Sequence, residues 1–511
     1  MFVTKLGLTG QSWTYQELRD KSRLFGSSLK NLPGCYTLGI FLPNCIEYPV
    51  IFSGAAYANV TTTTMNPIYT PRELVNQLRL AKASYVVTTS AQLPTLEKTS
   101  RIMNRRVQPI LTDKKVDGCL SLGDMLEETE LQEGEEINVH DEVITLPFSS
   151  GTTGTPKGVM LTHFNLVANM CQGLDTHPSQ ALFEESTEDN QSVLLCILPL
   201  YHIYAMNVAM GPALRSGAKL VMLSKFEPAS FLNALVTHRP TNLQLAPPLV
   251  SFLVTSPQVK GHHMESVKDI MVGAAPLGPA LIEQFKAKFP GIVLREAWGM
   301  SEISPIGLMT PRNDIRTGSC GVAVPNTRFK IVDVGTGENL KVGQVGELCC
   351  TGPMVMKGYI NNKKATSSTI QGDWLHTGDV AYYDEDGYIY IVDRIKELIK
   401  VKGYQVPPAE IEDLLRKMDG VKDVAVIGIP HEKFGEVPRA YVVKDEGNTD
   451  LTEEDVITSV AKNVASYKQL TGGVEFIEEI PKSAAGKILR RVLTDKFKAK
   501  DSVYTQQYAK S

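Results

Sequence analysis

A segment rich in glycine and hydroxyl side chains surrounds a single lysine at residues 149–158. Its sequence, SSGTTGTPKG, sets two serines, three threonines, three glycines and a proline around Lys157. Backbone N–H groups can approach an anion closely at glycine, which lacks a Cβ atom. The hydroxyls add donors and the ammonium adds charge, so the segment could bind phosphate. A flexible surface loop is the alternative, because lysine precedes glycine here, whereas a Walker A motif ends in Gly-Lys-Ser/Thr.

The residues on either side of this segment predict its setting. DEVITLPF, residues 141–148, is β-branched and apolar and therefore predicts a strand. After the segment, Phe164, Val167, Ala168 and Cys171 recur at helical spacing. The sequence thus predicts a strand, a glycine-rich turn and a helix, which is a common cradle for phosphate.

Three further segments combine charged residues with glycine. REAWGMSEISP, residues 295–305, places a glycine and an acidic residue beside a tryptophan. Residues 374–412, beginning WLHTGD, hold three lysines and the aspartate of TGD. IPKSAAGKILRR, residues 480–491, places Lys487 in a glycine-bearing turn.

Together these segments resemble the adenylate-forming superfamily of acyl-CoA synthetases, firefly luciferases and peptide-synthetase adenylation domains. The chain is most similar to 4-coumarate–CoA ligases and related acyl-CoA ligases, from WTYQELRDKS through NPIYTPREL to PKSAAGKILRR. The resemblance implies an AMP-forming enzyme that converts a carboxylic acid to an acyl-adenylate and then transfers the acyl group to CoA. ATP, Mg²⁺ and CoA are the cofactors and co-substrates that it implies.

The resemblance also implies roles for the residues at matching positions. Glu302 would hold Mg²⁺, Asp379 would accept hydrogen bonds from the ribose, and Lys487 would bridge the carboxylate and the α-phosphate. The residues implied in catalysis are Lys487, Lys400, Lys396 and His202. The residues implied in ATP and AMP binding are Ser149, Ser150, Gly151, Thr152, Thr153, Gly154, Lys157, Glu296, Ala297, Trp298, Ser301, Asp379, Arg394, Lys396, Lys400 and Lys487. The residues implied in CoA binding are Lys225, Lys402 and Gly403.

Two lysine-bearing segments are implied to serve different half-reactions. Lys487 would serve adenylation, whereas Lys400 would serve thioester formation from the opposite face of the same domain. One rigid domain cannot present both faces to a single site, so the resemblance implies a rotation with its hinge near Lys396. We therefore expect a large N-terminal adenylation domain at residues 1–395 and a smaller, mobile lid domain at residues 396–511.

The patterns of the two parts agree with this division. Upstream, apolar strands alternate with helices, as in TNLQLAPP and PLGPALIEQFKAKFP, which predicts layered α/β subdomains. Downstream, Pro407 and Pro408 open a predicted helix. VKDVAVIGI and RAYVVKDE are typical of strands, and TEEDVITSVAKNV has the acidic start of a helix. The predicted fold class is α/β, with an α+β C-terminal domain.

The acyl substrate is the least specified part of the prediction. Val208 stands where hydroxycinnamate ligases carry a small polar residue, and Ala297 follows Glu296 where relatives have Gln-Gly. These changes narrow the pocket and leave a phenolic hydroxyl without partners, which is costly for a substrate that buries one. We therefore predict a medium- or long-chain fatty acid, with a 4-coumarate-type aromatic acid as the alternative. The residues implied in the acyl pocket are His202, Tyr204, Val208, Ala274, Ala297 and Met309.

Two other functional classes remain as alternatives. A luciferase-like oxygenase would need a luciferin pocket, which nothing in the sequence specifies. A non-catalytic nucleotide-binding relative is considered because thirteen residues precede Thr14. Relatives carry a few dozen there, so either the N-terminal subdomain would lack its first elements or the start codon would be misassigned. Every charged catalytic position is intact, and this favours an enzyme.

The composition limits the partners. The chain has 511 residues, 43% of them hydrophobic, and a net charge of −4, so it predicts several domains and offers no basic field for nucleic acid. Its apolar runs are shorter than the roughly 18 residues of a membrane span, so we expect no integral membrane association. The expected partners are a small carboxylic acid, ATP and CoA.

The N-terminus lacks a secretory apolar core, and the C-terminal Ala-Lys-Ser lacks the leucine of a peroxisomal signal. We expect a cytoplasmic protein, with the peroxisome as the alternative.

Overall fold

The structure of the chain is a computed structural model. It describes residues 3–6, 10–127, 130–134, 136–149, 156–174, 181–187, 189–401, 404–431, 434–445, 450–483 and 486–508. The chain divides into two compact units. Unit 1 comprises Met1–Gly273, Ile282–Phe329 and Cys350–His376, and unit 2 comprises Ala274–Leu281, Lys330–Cys349 and Thr377–Ser511. The domain boundary and hinge expected near Lys396 stay predictions.

The strands are short and follow one another along the whole chain. The first are β1 (Val3–Leu6), β2 (Ser12–Thr14), β3 (Thr37–Ile40), β4 (Thr61–Thr64), β5 (Tyr85–Thr88), β6 (Gln108–Leu111), β7 (Leu120–Ser121), β8 (Val143–Thr145), β9 (Phe148–Ser149) and β10 (Lys157–Thr162). The next are β11 (Val193–Cys196), β12 (Lys219–Met222), β13 (Asn242–Leu245), β14 (Asp269–Val272), β15 (Val293–Gly299), β16 (Ile306–Met309), β17 (Val322–Ala323), β18 (Arg328–Val332), β19 (Gly346–Thr351) and β20 (Gly358–Tyr359). The last are β21 (Ile370–Gln371), β22 (Trp374–Tyr383), β23 (Ile389–Arg394), β24 (Ile399–Val401), β25 (Tyr404–Val406), β26 (Val421–His431), β27 (Gly435–Lys444) and β28 (Val474–Phe476).

The helices alternate with these strands, most densely in the first two thirds of the chain. They are α1 (Tyr15–Lys30), α2 (Tyr48–Tyr57), α3 (Pro71–Ala81), α4 (Leu93–Met103), α5 (Leu122–Glu127), α6 (His163–Leu174), α7 (Gly211–Arg215), α8 (Pro228–His238), α9 (Pro247–Thr255), α10 (Pro279–Lys288), α11 (Lys363–Thr369), α12 (Pro408–Leu415), α13 (Glu453–Asn463) and α14 (Arg490–Tyr508). Several starts follow from local sequence. Thr14 and Thr70 each form a capping box with a glutamate three residues on, Glu17 and Glu73. None of the helices in the described residues has both the length and the apolar composition needed to cross a membrane.

The described strands of unit 1 form two mixed sheets. The first has the order β17-β16-β15-β14-β13-β11-β12-β1-β2, and the second the order β20-β10-β8-β4-β3-β5-β6-β7, with β9 on β10. Parallel pairs form the middle of each sheet. Antiparallel strands lie at both ends of the first sheet and at the β20 end of the second, whereas β7 at its other end pairs parallel with β6. Every residue of β3, β13 and β14 is buried, as expected for strands covered on both faces. These layers are the α/β architecture that the sequence predicts.

In unit 2, strands β24 to β28 form a small sheet in the order β25-β24-β27-β26, with β28 on β27. As predicted, α12 begins directly after Pro407, and its Ile411 and Leu415 are fully buried against the sheet's apolar face. A further sheet, β18-β19-β22-β21 with β23 on β22, contributes the antiparallel pair of β22 and β23 to this unit. The α/β fold class, with a smaller C-terminal part, is confirmed.

The predicted cradle around the glycine-rich segment is wrong in its last element. The segment is followed by β10, which begins at Lys157 and pairs antiparallel with β9 and β8. Helix α6 begins at His163, only after this strand. The segment therefore connects two antiparallel strands instead of leading into a helix. Residues 150–155 lie outside the described residues.

Two of the apolar residues whose spacing predicts α6 lie outside its buried face. Phe164 and Val167 are 37% and 51% exposed, whereas Asn165, Asn169 and Gln172 are buried. The buried amides donate hydrogen bonds to backbone carbonyls of the loops that pack on this face. A helix face that must satisfy loop carbonyls selects amides, and apolar periodicity cannot reveal this.

Candidate active site

Asp379 and Arg394 are cross-strand neighbours on β22 and β23 of unit 2. Arg394 Nε lies 3.1 Å from Asp379 Oδ1, and the side chain of Asp379 is 6% exposed while that of Arg394 is 37% exposed. The carboxylate is therefore fixed from one side by a guanidinium that itself reaches the surface. An ionised carboxylate has further lone pairs, so this pair can still accept hydrogen bonds from a ligand.

The TGD sequence shapes the backbone in front of this pair. Gly378 has a φ of +72°, a conformation that a residue with a Cβ adopts rarely. Its N–H donates to Glu347 Oε1 at 3.1 Å, and the Thr377 hydroxyl donates to Leu348 O at 2.7 Å. The Asp379 N–H donates to Thr377 Oγ1 at 3.0 Å. Thr377 and Gly378 thus fix the backbone that orients the Asp379 side chain.

Lys487 lies in a tight turn of the same unit. Its N–H donates to Ser483 Oγ at 3.1 Å, and the Ser483 N–H donates to Lys487 O at 2.8 Å. Burial lowers the pKa of the Lys487 ammonium, the positive charge of Arg394 lowers it further, and the charges of Glu397 and Asp379 act in the opposite direction. The structure therefore brings together three predicted site residues, Asp379, Arg394 and Lys487.

Arg490, three residues beyond Lys487, is a site residue that the sequence analysis missed. Its guanidinium contacts Glu397 Oε2 at 2.8 Å and Glu412 Oε1 at 2.6 Å, and its Nε donates to Val426 O at 3.1 Å. These contacts fix the start of α14 against α12 and β26. In the sequence Arg490 is one cation of a basic run, and nothing there distinguishes it from its neighbours.

The described ends of the glycine-rich segment face each other in unit 1. Ser149 and Lys157 are paired across β9 and β10. The Ser149 hydroxyl is buried and has no hydrogen-bond partner within the described ranges, and Lys157 Nζ lies 5.0 Å from the ring centroid of Tyr359. A buried hydroxyl without a partner beside a lysine fits a phosphate group. The other predicted loop residues, Ser150, Gly151, Thr152, Thr153 and Gly154, lie outside the described residues.

Glu302 is buried at the start of the turn Ser301–Ile303 in the same unit. Its Oε1 accepts a hydrogen bond from the Tyr359 hydroxyl at 2.8 Å, and its backbone carbonyl accepts one from the Met356 N–H at 2.9 Å. Oxygen ligands of this kind are those that Mg²⁺ prefers, so the carboxylate fits the predicted metal. Ser301 is half-buried beside it.

Two buried asparagines hold the loop that follows Glu302. The side-chain amide of Asn207 donates to Ser304 O at 2.6 Å. The amide of Asn169 donates to Ile306 O at 2.7 Å and accepts from the Ile306 N–H at 3.1 Å. The sequence analysis missed both residues, because an asparagine within an apolar stretch gives no sign of its partner.

Strands β15 and β16 align several predicted residues. Ala297 lies directly opposite Met309, so their side chains share one face of the sheet, and Trp298 lies opposite Leu308 on the other face. The Glu296 carbonyl accepts hydrogen bonds from both the N–H and the hydroxyl of Thr310, each at 3.0 Å. Glu296 and Ala297 are half-buried and Trp298 is buried.

The predicted acyl-pocket residues differ in exposure. Tyr204 is buried, and its hydroxyl lies 3.1 Å from Met271 O. Val208 is fully buried within a π-helical turn, Ala205–Met210, a feature often found at functional sites. Burial lowers the pKa of His202 to about 4, so its ring is neutral at physiological pH. Ala274 is exposed and belongs to unit 2.

The predicted lysines of the second half-reaction lie at the surface. Lys400 is the exposed middle residue of β24, between two buried neighbours, and Lys396 is also exposed. Lys225 is 73% exposed and pairs with Glu227 at 2.7 Å. Lys402 and Gly403 lie outside the described residues.

Two family profiles match this chain. The AMP-binding enzyme profile matches residues 3–360, and the AMP-binding enzyme C-terminal domain profile matches residues 410–487. The chain belongs to the AMP-binding enzyme family. It is 40% identical to 4-coumarate–CoA ligase 3 of Oryza sativa subsp. japonica, and the match covers 95% of this chain and 88% of that relative. The 4-coumarate–CoA ligase of Pinus taeda is 39% identical, and the match covers 97% of this chain and 91% of that relative.

A solved structure agrees with these sequence matches. The ATP-bound MatB of Rhodopseudomonas palustris superposes with a TM-score of 0.88 at 28% identity, over 97% of this chain and 96% of that one. Like the family members it resembles, this protein is an AMP-forming acyl-CoA ligase that uses ATP, Mg²⁺ and CoA. The predicted enzyme class is thereby confirmed.

The predicted preference for a fatty acid finds no support in the comparisons. The relatives with the matches just described are ligases of 4-coumarate, so they fit the aromatic alternative better. The fatty-acid prediction relied on single pocket positions, and a change at one position does not show which polar partners other parts of the fold supply to a phenolic hydroxyl.

Proposed function

We propose that this AMP-binding enzyme joins a 4-coumarate-type aromatic acid to CoA. The observation that carries the proposal is 40% identity to a 4-coumarate–CoA ligase over 95% of the chain. Similarity spread over the whole chain includes both the acyl-binding and the nucleotide-binding segments. The proposed location is the cytoplasm, with the peroxisome as the alternative.

The surroundings of Tyr204 support a flat substrate. A Cβ added to Gly273 would lie 3.2 Å from carbons of the Tyr204 ring, so the ring lies close against bare backbone. The Tyr204 hydroxyl is occupied by Met271 O, which holds the ring plane. A fixed aromatic plane beside glycine forms a flat wall, and this favours a planar acid over a flexible chain. Ala297 and Met309, on one sheet face, are the proposed second wall, and His202, Val208 and Ala274 complete the proposed set.

In the proposed first half-reaction, a carboxylate oxygen of the acid attacks the α-phosphorus of ATP and pyrophosphate leaves. Both reactants are anions, so the site must neutralise their charge and align them. Lys487 would place its ammonium between the carboxylate and the α-phosphate, and Lys157 would contact the β- and γ-phosphates with the hydroxyl of Ser149. Glu302 would hold Mg²⁺, which supplies further charge neutralisation.

The residues implied in ATP and AMP binding are proposed to hold the nucleoside end. Asp379 would accept from both ribose hydroxyls, and Arg394, which fixes Asp379 at 3.1 Å, would brace the same ribose. Glu296, Ala297 and Trp298 would border the adenine, and Ser301 would contact the α-phosphate. Positioning of this kind is the main contribution a protein makes to phosphoryl-group chemistry.

In the proposed second half-reaction, the thiol of CoA attacks the acyl carbonyl and AMP leaves. Lys400 would serve this step, and Lys225, Lys402 and Gly403 would bind CoA. We propose that the C-terminal lid rotates about Lys396 between the two steps. The loops held by Asn169 and Asn207 would keep Glu302 in place during the rotation.

A panel of carboxylic acids tests the proposal. Pyrophosphate release and CoA thioester are measured with 4-coumarate, benzoate, malonate, octanoate and palmitate, with ATP and Mg²⁺ present. We expect the highest kcat/KM for 4-coumarate. If octanoate or palmitate exceeds it, the substrate assignment is wrong while the ligase class stands.

A further inference from the structure

Tyr359 contacts two residues of the proposed phosphate site at once. Its hydroxyl donates to Glu302 Oε1 at 2.8 Å, and its ring centroid lies 5.0 Å from Lys157 Nζ. Within the described part of the chain, no other side chain donates to the Glu302 carboxylate. One side chain therefore joins the proposed Mg²⁺ ligand to the proposed phosphate-binding lysine.

The fold holds Tyr359 in place from several sides. It lies on β20, where it pairs with Val159 of β10, the strand that begins at Lys157. Its N–H donates to Thr366 Oγ1 at 2.9 Å, and the residue is 6% exposed. The strand pairing and these contacts hold the phenol hydroxyl against the Glu302 carboxylate.

We propose that Tyr359 is a positioning residue for adenylation, whose hydroxyl orients the Glu302 carboxylate and whose ring holds the Lys157 ammonium. The proposal rests on the proposed function. With Oε1 accepting from the phenol, Oε2 of Glu302 is the oxygen that would be left for Mg²⁺. With its ammonium over the ring face, Lys157 is restrained by a cation–π contact. Tyr359 would thereby help to hold the metal ligand and the phosphate-binding lysine in fixed places relative to each other.

The two contacts can be separated by substitution. Tyr359→Phe removes the hydroxyl and keeps the ring, so it removes the restraint on Glu302 and keeps that on Lys157. Tyr359→Leu removes both. Tyr57→Phe is a matched control, because the Tyr57 hydroxyl donates to Gln132 O at 2.7 Å and Lys30 Nζ lies 5.8 Å from its ring. Tyr57 therefore makes both a hydrogen bond and a cation–π contact, and it lies away from the proposed site.

The test measures metal binding as well as turnover. Binding of Mn²⁺ in the presence of a non-hydrolysable ATP analogue is followed by electron paramagnetic resonance, and the Mg²⁺ concentration for half-maximal pyrophosphate release is determined separately. For Tyr359→Phe we expect both metal constants to rise about 10-fold or more, since a hydrogen bond to a charged group is lost. The KM for the acid should be unchanged. Tyr359→Leu should also raise the KM for ATP, and Tyr57→Phe should match the wild type.

A double-mutant cycle with Glu302→Gln separates this inference from the proposed function. If Glu302→Gln leaves the metal constants unchanged, the proposed metal role of Glu302 fails. If Glu302→Gln raises them while Tyr359→Phe behaves like Tyr57→Phe, the role of Tyr359 fails and that of Glu302 stands. We expect Tyr359→Phe to add little to the effect of Glu302→Gln, and additive effects would overturn the inference because they require independent routes.

Discussion

Arg394 Nε lies 3.1 Å from Asp379 Oδ1, and the electrostatic environment of Lys487 includes both groups. Unit 2 thus places one carboxylate, one guanidinium and one ammonium close enough to interact electrostatically. The guanidinium offsets the charge of the aspartate, and the ammonium remains the cation that can meet a ligand. This arrangement matches what transfer of an adenylyl group from ATP to a carboxylate requires: a hydrogen-bond acceptor for the sugar and a positive charge for the phosphate.

Changing Asp379 to Asn should weaken ATP binding selectively. The amide cannot accept from two ribose hydroxyls as a carboxylate does, and Arg394 loses its ionic partner. We expect the KM for ATP to rise at least 10-fold, with the KM for the acid within about twofold. Asp373→Asn is the control, because Asp373 is exposed in the turn before β22. A normal KM for ATP in Asp379→Asn would contradict the ribose assignment.

Changing Lys487 to Ala should separate the half-reactions. Formation of the acyl-adenylate needs the ammonium between two anions, whereas thioester formation from a supplied adenylate does not. We expect the rate of acyl-adenylate formation to fall by several orders of magnitude and the rate of thioester formation to fall by less than about 10-fold. Lys498→Ala, an exposed lysine on α14, serves as the control. Equal losses in both steps would assign Lys487 a purely structural role.

The pH dependence of adenylation should carry the signature of Lys487. Burial and Arg394 lower its pKa, so the ammonium loses its proton at a lower pH than an exposed lysine does. The adenylation rate should therefore fall on the alkaline side, at a pH below the ordinary lysine range of about 10.4. Glu397 raises this pKa, so Glu397→Gln should move the alkaline decline to lower pH. Glu410→Gln, which removes an exposed partner of Lys468, should not move it.

The sequence was sufficient to predict several elements of unit 2 around the candidate residues Asp379, Arg394 and Lys487, whose roles stay predictions. The motifs around Asp379, Arg394 and Lys487 have short, local determinants: a glycine with positive φ, a strand register and a tight turn. Helix α12 follows from its paired prolines and its apolar spacing. Local chemistry of this kind is visible in a single sequence.

Other features depend on partners that are distant in the sequence. Arg490 owes its role to Glu412, Glu397 and Val426, which belong to other elements. The polar face of α6 exists because Asn169 must satisfy the backbone of Ile306. Long-range hydrogen bonds of this kind leave no periodic signal, so the sequence predicts the helix but does not indicate its polar buried face.

Arg490→Met should therefore destabilise the C-terminal part of the chain. The substitution leaves the carboxylates of Glu397 and Glu412 without their guanidinium, and Glu412 is buried. Removing one partner of a buried ion pair costs about 3–5 kcal/mol. Arg491→Met is the matched control, because Arg491 is exposed and pairs only loosely with Asp495 at 3.7 Å, so its loss should cost less than about 1 kcal/mol. Urea unfolding of the two variants, followed by circular dichroism, provides the comparison, and similar unfolding free energies would contradict the buried-network interpretation.

Gly273→Ala tests the flat wall proposed for the acyl pocket. The added Cβ would lie 3.2 Å from carbons of the Tyr204 ring, so the ring must shift by a few tenths of an ångström and its hydroxyl must move relative to Met271 O. A pocket that discriminates by shape loses roughly 10- to 200-fold in kcat/KM for a misplaced methyl-sized group. We expect a loss in this range for 4-coumarate, a smaller loss for benzoate, and an unchanged KM for ATP. Gly278→Ala, where a Cβ would meet no atom within 4 Å, should behave as the wild type. If Gly273→Ala keeps full activity on 4-coumarate, the Tyr204 ring does not border the acid, and the wall must be sought along the sheet face that carries Ala297 and Met309.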